Sequence, residues 1–251
     1  MKAILKAVLI AFAAFGINAH ADEVKAAVAA NFTAAIKKMT PLFEAKTGHK
    51  LLASFGATGQ LHAQISNGAP FDVLLAADAV HPPKIIEEGL GVPGSNFVYA
   101  IGKLALWSAD AKLVDSEGRV LGAGKFDKIA IANPKTAPYG QAAVETLQAL
   151  KLYDTLEPKF VTGENIAQAQ QFAASGNAAL GFVALAQVLA LPEEQRGSLW
   201  IVPEKLHQPI VQQAVLLKSA ENNKAAQQFL AFLKSPEAIA IIRELGYEPG
   251  A

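Results

Sequence analysis

From Val24 onward the chain alternates short apolar runs with segments whose apolar residues recur every three or four positions, and few architectures accommodate that alternation. Residues 24–29 read as a strand. Residues 32–46 read as a helix, with Ile36, Met39, Leu42 and Phe43 on one face and Gly48 as the stop. A strand at 51–54, a helix at 58–67, a strand at 73–76 and a helix after Pro82 and Pro83 repeat the unit. A second set follows: a strand at 129–132, a helix from about 140, a strand near Phe160, a helix at 166–174 and a strand at 179–183. The predicted class is α/β.

Two longer apolar stretches bracket that second set, 97–108 and 210–217, and each predicts a strand long enough to pass between two bodies. Helices at 223–233 and 236–245 then return to the first body. The pattern predicts two lobes joined by a hinge, lobe 1 from 22–103 and 213–251 and lobe 2 from 104–212.

Residues 1–21 are expected to be a targeting segment outside the fold. Lys2 and Lys6 precede an apolar run, and Ala19-His20-Ala21 has the small-x-small form that signal peptidases cut, predicting cleavage after Ala21. The run is shorter than the roughly 20 residues a membrane span requires. Of 22 basic side chains, two fall in this segment, leaving 20 against 22 acidic ones and no basic excess for a nucleic-acid surface. The absence of cysteine excludes disulfides, thiolate metal sites and a lipid anchor on an N-terminal Cys. An exported, disulfide-free protein in a bacterial periplasm is the class that fits.

Four segments share one feature, a turn of small or polar residues that feeds the start of a predicted helix. They are Ala29-Ala30-Asn31-Phe32, Phe55-Gly56-Ala57-Thr58-Gly59, Thr136-Ala137-Pro138-Tyr139-Gly140 and Gly163-Glu164-Asn165-Ile166. First-turn N–H groups and the helix dipole bind an anion with no help from Lys or Arg. In open α/β sheets such loops fall beyond the carboxyl ends of the strands, where ligands sit. By residue type alone, Asn31, Thr58 and Asn165 serve equally as plain helix caps, and Tyr139 as a packing aromatic.

Enzyme signals are missing. Gly89-Leu90-Gly91-Val92-Pro93-Gly94 follows a helix and contains a proline, so it reads as a loop rather than a dinucleotide site. Gly124-Lys125 lacks the upstream glycine and the hydroxyl of a phosphate-binding loop, and neither G-x-S-x-G nor H-E-x-x-H occurs. His49, His62, His81 and His207 show no ligand spacing, Asp72 and Asp78 read as turn and cap residues, and Glu164 is expected to point outward. Tyr99, Tyr139, Tyr153 and Tyr247 are too scattered for a ferric site.

At these segments the sequence resembles the periplasmic molybdate-binding proteins of the molybdate ABC importer. The likeness runs from Val24 to about Tyr247 through Ala30-Asn31-Phe32, Asn67-Gly68-Ala69-Pro70, Ala137-Pro138-Tyr139-Gly140, Leu180-Gly181-Phe182-Val183 and Pro209-Ile210-Val211-Gln212-Gln213. It implies a two-lobed type II periplasmic-binding fold, with mixed sheets flanked by helices, a two-strand hinge and a ligand cleft between the lobes. It also implies a molybdate or tungstate ligand held by neutral donors, with the metal present only as the oxyanion. Carried over, Asn31 donates from its backbone and side chain, Thr58 from N–H and hydroxyl, and Tyr139 and Ile166 from their N–H groups. Ala30 and Ala184 stand where relatives carry a hydroxyl. The implied protein is a monomer without a resident cofactor or catalysis, and its partners are a membrane permease and an ATPase. Sulfate or another oxyanion is the alternative ligand, and an enzyme or sensor on the same frame the alternative class.

Overall fold

The computed structural model describes residues 22–250, and the predicted targeting segment lies outside them. Eleven strands form among the described residues: β1 Glu23–Ala29, β2 Lys50–Gly56, β3 Val73–Leu75, β4 Phe97–Gly102, β5 Leu104–Ser108, β6 Ile129–Ala132, β7 Phe160–Gly163, β8 Leu180–Ala184, β9 Ser198–Ile201, β10 Ile210–Leu216 and β11 Glu248–Pro249. The helices are α1 Thr33–Thr47, α2 Thr58–Ser66, α3 His81–Glu87, α4 Val120–Ala123, α5 Pro138–Ala149, α6 Tyr153–Leu156, α7 Ile166–Ala174, α8 Leu185–Leu189, α9 Lys224–Phe232 and α10 Pro236–Glu244.

The strands make two mixed sheets. The first has the order β11-β4-β10-β3-β1-β2, with β1 parallel to both neighbours and β10 antiparallel to β3 and β4. The second has the order β7-β6-β8-β5-β9, with β6 parallel to β7 and β8. Both sheets are covered on two faces, and strand periodicity sorts the side chains between them. Along β1, Val24, Ala26 and Val28 face the layer of α1, α9 and α10, while Ala27 faces Leu61 and Ile65 of α2 and Ile85 of α3. In β5, Leu104 and Leu106 join the main core of the second sheet, and Ala105 and Trp107 pack on the other side with Val183 and Val188.

The stretch 97–108, which reads as one strand, is two. β4 ends at Gly102 in the first sheet and β5 begins at Leu104 in the second, so Lys103 is the crossing point. The chain returns through residues 202–209 to β10. Pro138 sets the start of α5 at its first position, two residues before the expected start. β9 and the short helices α4, α6 and α8 give too few residues to register as periodic segments. Among the described residues no helix is long and apolar enough to cross a membrane.

The first sheet's outer layer is anchored by Phe43 of α1, whose ring meets Phe229 and Phe232 edge-on at 5.4 and 5.7 Å. Phe43→Ala leaves a cavity there and is expected to cost about 3–5 kcal/mol. Urea unfolding checks this as a lowered midpoint at unchanged slope.

Candidate functional site

β1, β2, β6 and β7 each deliver the chain to a helical start at the same crevice between the sheets. β1 leads into a 3-10 turn, Ala30–Phe32, and the others into α2, α5 and α7. Ala30, Asn31, Thr58, Tyr139 and Ile166 come together there, on the wall of one cavity, and all are at least nine-tenths buried. The cavity holds about 10 Å³ of water-accessible space, on the scale of one water molecule, and has no room for a sugar or peptide. No lining residue carries a charge. A larger space of about 450 Å³ lies beside it, lined by Asp78, His81, Lys135 and Glu145. That space offers mixed charges on a largely apolar wall rather than converging N–H groups, so the small cavity is the candidate site.

The caps decide what the small cavity presents. The residues preceding the 3-10 turn, α2 and α5 are Ala29, Ala57 and Ala137, and none accepts a hydrogen bond through its side chain. Ser, Thr, Asp or Asn at such a position stabilises a helix by about 1 kcal/mol, so three alanines leave first-turn donors to another acceptor. In α5, Pro138 has no N–H, and the N–H groups of Gly140 and Gln141 both reach the Ala137 carbonyl. The donor left over in that turn is Tyr139 N–H. In α7, the Asn165 side chain accepts from Ala167 and Gln168, and the Asn165 carbonyl accepts from Ala169. The donor left over there is Ile166 N–H.

Asn31 and Thr58 are therefore not caps. Asn31 sits inside the 3-10 turn and Thr58 is the first residue of α2; Asn165 alone of the three caps its helix. Thr58 is fully buried, and its hydroxyl oxygen accepts from Ala77 N–H at 2.9 Å. With that lone pair used, the hydroxyl proton is free to turn into the cavity. The side-chain donor expected of Asn31 is not available. Its Nδ2 donates to Gln212 Oε1 at 2.9 Å and to Tyr247 Oη at 3.1 Å, which uses both amide hydrogens. Ala184 does not line the cavity. It precedes α8, and its N–H donates to Gln187 Oε1, whose Nε2 in turn holds the Ile166 carbonyl at 3.1 Å.

The lobes touch at the cavity edge. Gly59 N–H donates to the Thr136 carbonyl at 2.9 Å, and Gln60 Nε2 to the exposed Glu164 carboxylate at 2.7 Å. Elsewhere, His62 and His81, unrelated by spacing, meet with ring centroids 5.2 Å apart, each beside a carboxylate, Glu88 and Asp78. Asp78 also accepts from the N–H groups of Val80 and His81, a turn and cap role, whereas Asp72 accepts from Lys25 N–H of β1 and so ties two strands rather than a turn or cap. Among the described residues no group of three or more His, Cys, Asp or Glu could hold a metal ion.

A family model for bacterial extracellular solute-binding proteins matches residues 24–248. The chain belongs to that family. It is similar to the molybdate-binding protein ModA of Rhodobacter capsulatus, 55% identical over 92% of this chain and 90% of that protein. It is 52% identical to ModA of Azotobacter vinelandii over 91% of each. The solved structure of the Azotobacter vinelandii periplasmic molybdate-binding protein superposes with a TM-score of 0.86, at 43% identity, covering 90% of this chain and 98% of that one. The sulfate-binding protein SubI of Mycobacterium tuberculosis superposes at 0.75 over 91% of this chain and 87% of its own; at 12% identity it shares the fold alone. The two-lobed family fold is thus the fold of this chain.

Burial holds the phenols of Tyr99, Tyr139 and Tyr247 above the ordinary tyrosine range. The fold keeps these groups neutral while the unfolded chain ionises near pH 10, so their contribution to stability is full below that pH and is lost as pH rises past it. Tyr153, raised by its hydrogen bond to Glu157, lies outside this cluster and is only partly buried. In an alkaline titration followed by ultraviolet difference absorbance, one tyrosine is expected to ionise in the folded protein. The other three should ionise only with unfolding.

Proposed function

We propose that the chain binds molybdate, and tungstate with it, in the periplasm and delivers the oxyanion to an ABC permease and ATPase as a non-catalytic monomer. The observation that carries this reading is the set of alanine-capped helix starts around an uncharged cavity. A buried dianion without a counter-charge must be met by several oriented donors. The reading gives Asn31, Tyr139 and Ile166 their backbone N–H groups as ligands, and Thr58 both its N–H and its hydroxyl. Ala30 adds wall and no hydroxyl. The names of the 52–55% identical relatives support molybdate as the ligand. The absence of a charged side chain from the lining supports binding without chemistry. The ligand is the metal oxyanion itself, and the reading includes no resident cofactor.

The lobes of this reading are 22–103 with 213–251 and 104–212. β4 and β10 form the hinge, because both belong to the first sheet and lead into and out of the second. Donors from two helix starts on each side give the anion contacts that only the closed form completes, which is how a ligand shifts such an equilibrium. A lining of donors also selects a fully deprotonated anion, since phosphate at neutral pH carries a proton that requires an acceptor.

Calorimetric titration of residues 22–251 with molybdate, tungstate, sulfate and phosphate tests the reading. The first two should bind at least about a hundredfold more tightly than the others, equivalent to about 2.7 kcal/mol. Equal sulfate binding would make the chain a general oxyanion receptor, and no binding would refute the site. Thr58→Val keeps the shape, removes one donor and strands Ala77 N–H; it is expected to weaken molybdate binding by about tenfold or more. Gly59→Ala places a methyl about 3.2 Å from the Thr136 backbone across the cleft and should weaken binding by hindering closure, with little change in ligand-free thermal stability.

A further inference from the structure

Beneath the cavity four buried side chains, Tyr139, Gln212, Asn31 and Tyr247, form a hydrogen-bonded chain that no single lobe contains. Asn31 Nδ2 donates to Gln212 Oε1 at 2.9 Å, and Gln212 Nε2 donates to Tyr139 Oη at 3.2 Å. Tyr247 Oη donates to the Asn31 carbonyl at 2.8 Å and accepts from Asn31 Nδ2 at 3.1 Å. Asn31 and Tyr139 also lie on the cavity wall, one from each side of the cleft.

Gln212 belongs to β10 and is fully buried, whereas the adjacent Gln213 is half-buried. A break in strand register aims it. Gln212 pairs with Ala100 and Gln213 with Val98, so Tyr99 is the extra residue on β4. The Tyr99 hydroxyl then reaches Gln212 Oε1 at 2.9 Å and occupies its second lone pair. Gly102 leaves room for the arrangement, because a Cβ there would lie 2.6 Å from Gln212 Nε2 and would overlap the Tyr139 hydroxyl. An amide buried in a hinge strand is destabilising unless its partners are in place, and here three different elements supply them.

We propose that Gln212 is a positioning residue that registers the anion-facing turns of the two lobes, Asn31 and Tyr139, against each other and so sets the size selectivity of the site. This deepens the oxyanion reading and rests on it. Molybdate and sulfate share charge and shape and differ in size, so neutral donors distinguish them only if the two halves of the cavity meet at a fixed separation. Tyr139 and Asn31 bind through their backbones in that reading, while their side chains are held from below by one glutamine.

The test measures molybdate and sulfate affinity for the wild type, Gln212→Leu, Tyr139→Phe and the double variant, together with ligand-free Tm. The expected result is a fall of about tenfold in the molybdate-to-sulfate affinity ratio for each single variant, the size of one lost buried hydrogen bond. The double variant should fall no further than the worse single one, because both break the same Gln212–Tyr139 bond. A merely structural role lowers Tm and leaves the ratio alone. A ratio within about twofold of wild type in the folded variants overturns the proposal. Tyr139→Phe, which removes one hydroxyl and keeps the ring, decides the matter by itself if Gln212→Leu does not fold. Wild-type protein that takes no molybdate refutes the functional reading and the proposal together; wild-type binding with an unchanged ratio in the variants refutes the proposal alone.

Discussion

Backbone N–H groups that no carbonyl of their own helix can reach are the constraint around which this molecule is arranged. A helix start ordinarily satisfies them with a side-chain cap or with water. Here the chain places alanine before three of the helix starts at the crevice and buries the turns, so the first-turn donors face a space only a few atoms across. Strand direction brings them together. β1 runs parallel to β2, and β6 to β7, so their carboxyl ends open on one crevice from two sheets. An uncapped turn in a single sheet would be a stability defect; three that converge, with the spare Ile166 N–H of α7, make a site for an acceptor supplied from outside.

That arrangement is useful only if the two sheets meet in a defined way, and contacts at two depths provide the definition. At the cleft edge, Gly59 and Gln60 reach Thr136 and Glu164 across exposed or half-buried ground, where each contact is weak and reversible. At the hinge, Asn31, Tyr139, Gln212 and Tyr247 are all at least nine-tenths buried, where an unsatisfied partner is costly. The edge contacts can open and close with the ligand. The buried chain of bonds resists small sliding of one half against the other, which is the motion that would blur the cavity's dimensions.

Much of the fold was legible because it is local. Periodicity of two or three to four in 24–29, 32–46 and 166–174 reflects which face of a segment is covered, and the nearest neighbours in sequence carry that signal. The turn-to-helix segments were legible for the same reason. What was not legible is non-local or depends on which donors remain after capping. Asn31 and Thr58 have the composition of caps, and only the position of the helix starts shows that they lie past the cap. Alanine at 29, 57 and 137 is a signal present in the sequence, but reading it requires boundaries correct to one residue, and the sequence pattern starts α5 two residues late. The buried chain of bonds was out of reach altogether: its bonded partners are 73 to 216 positions apart, and Gln212, next to Gln213 in β10, looks like any residue on an exposed face.

Charge cannot supply the selectivity of a site built this way. A lysine or arginine in the cavity would attract every anion of the right sign, and a carboxylate would repel them all. Neutral donors fixed to helix starts reject a protonated anion for want of an acceptor, and they reject an anion of the wrong size only as far as the walls refuse to move. Rigidity of the walls is therefore part of recognition rather than a background condition. In this chain it falls to groups that hold the donors from behind. Gln187 holds the Ile166 carbonyl behind one donor, Ala77 N–H turns the Thr58 hydroxyl, and Gln212 ties Asn31 to Tyr139. The two buried glutamines have no place in an apolar core on hydrophobic grounds, and their burial is explained by what they hold still.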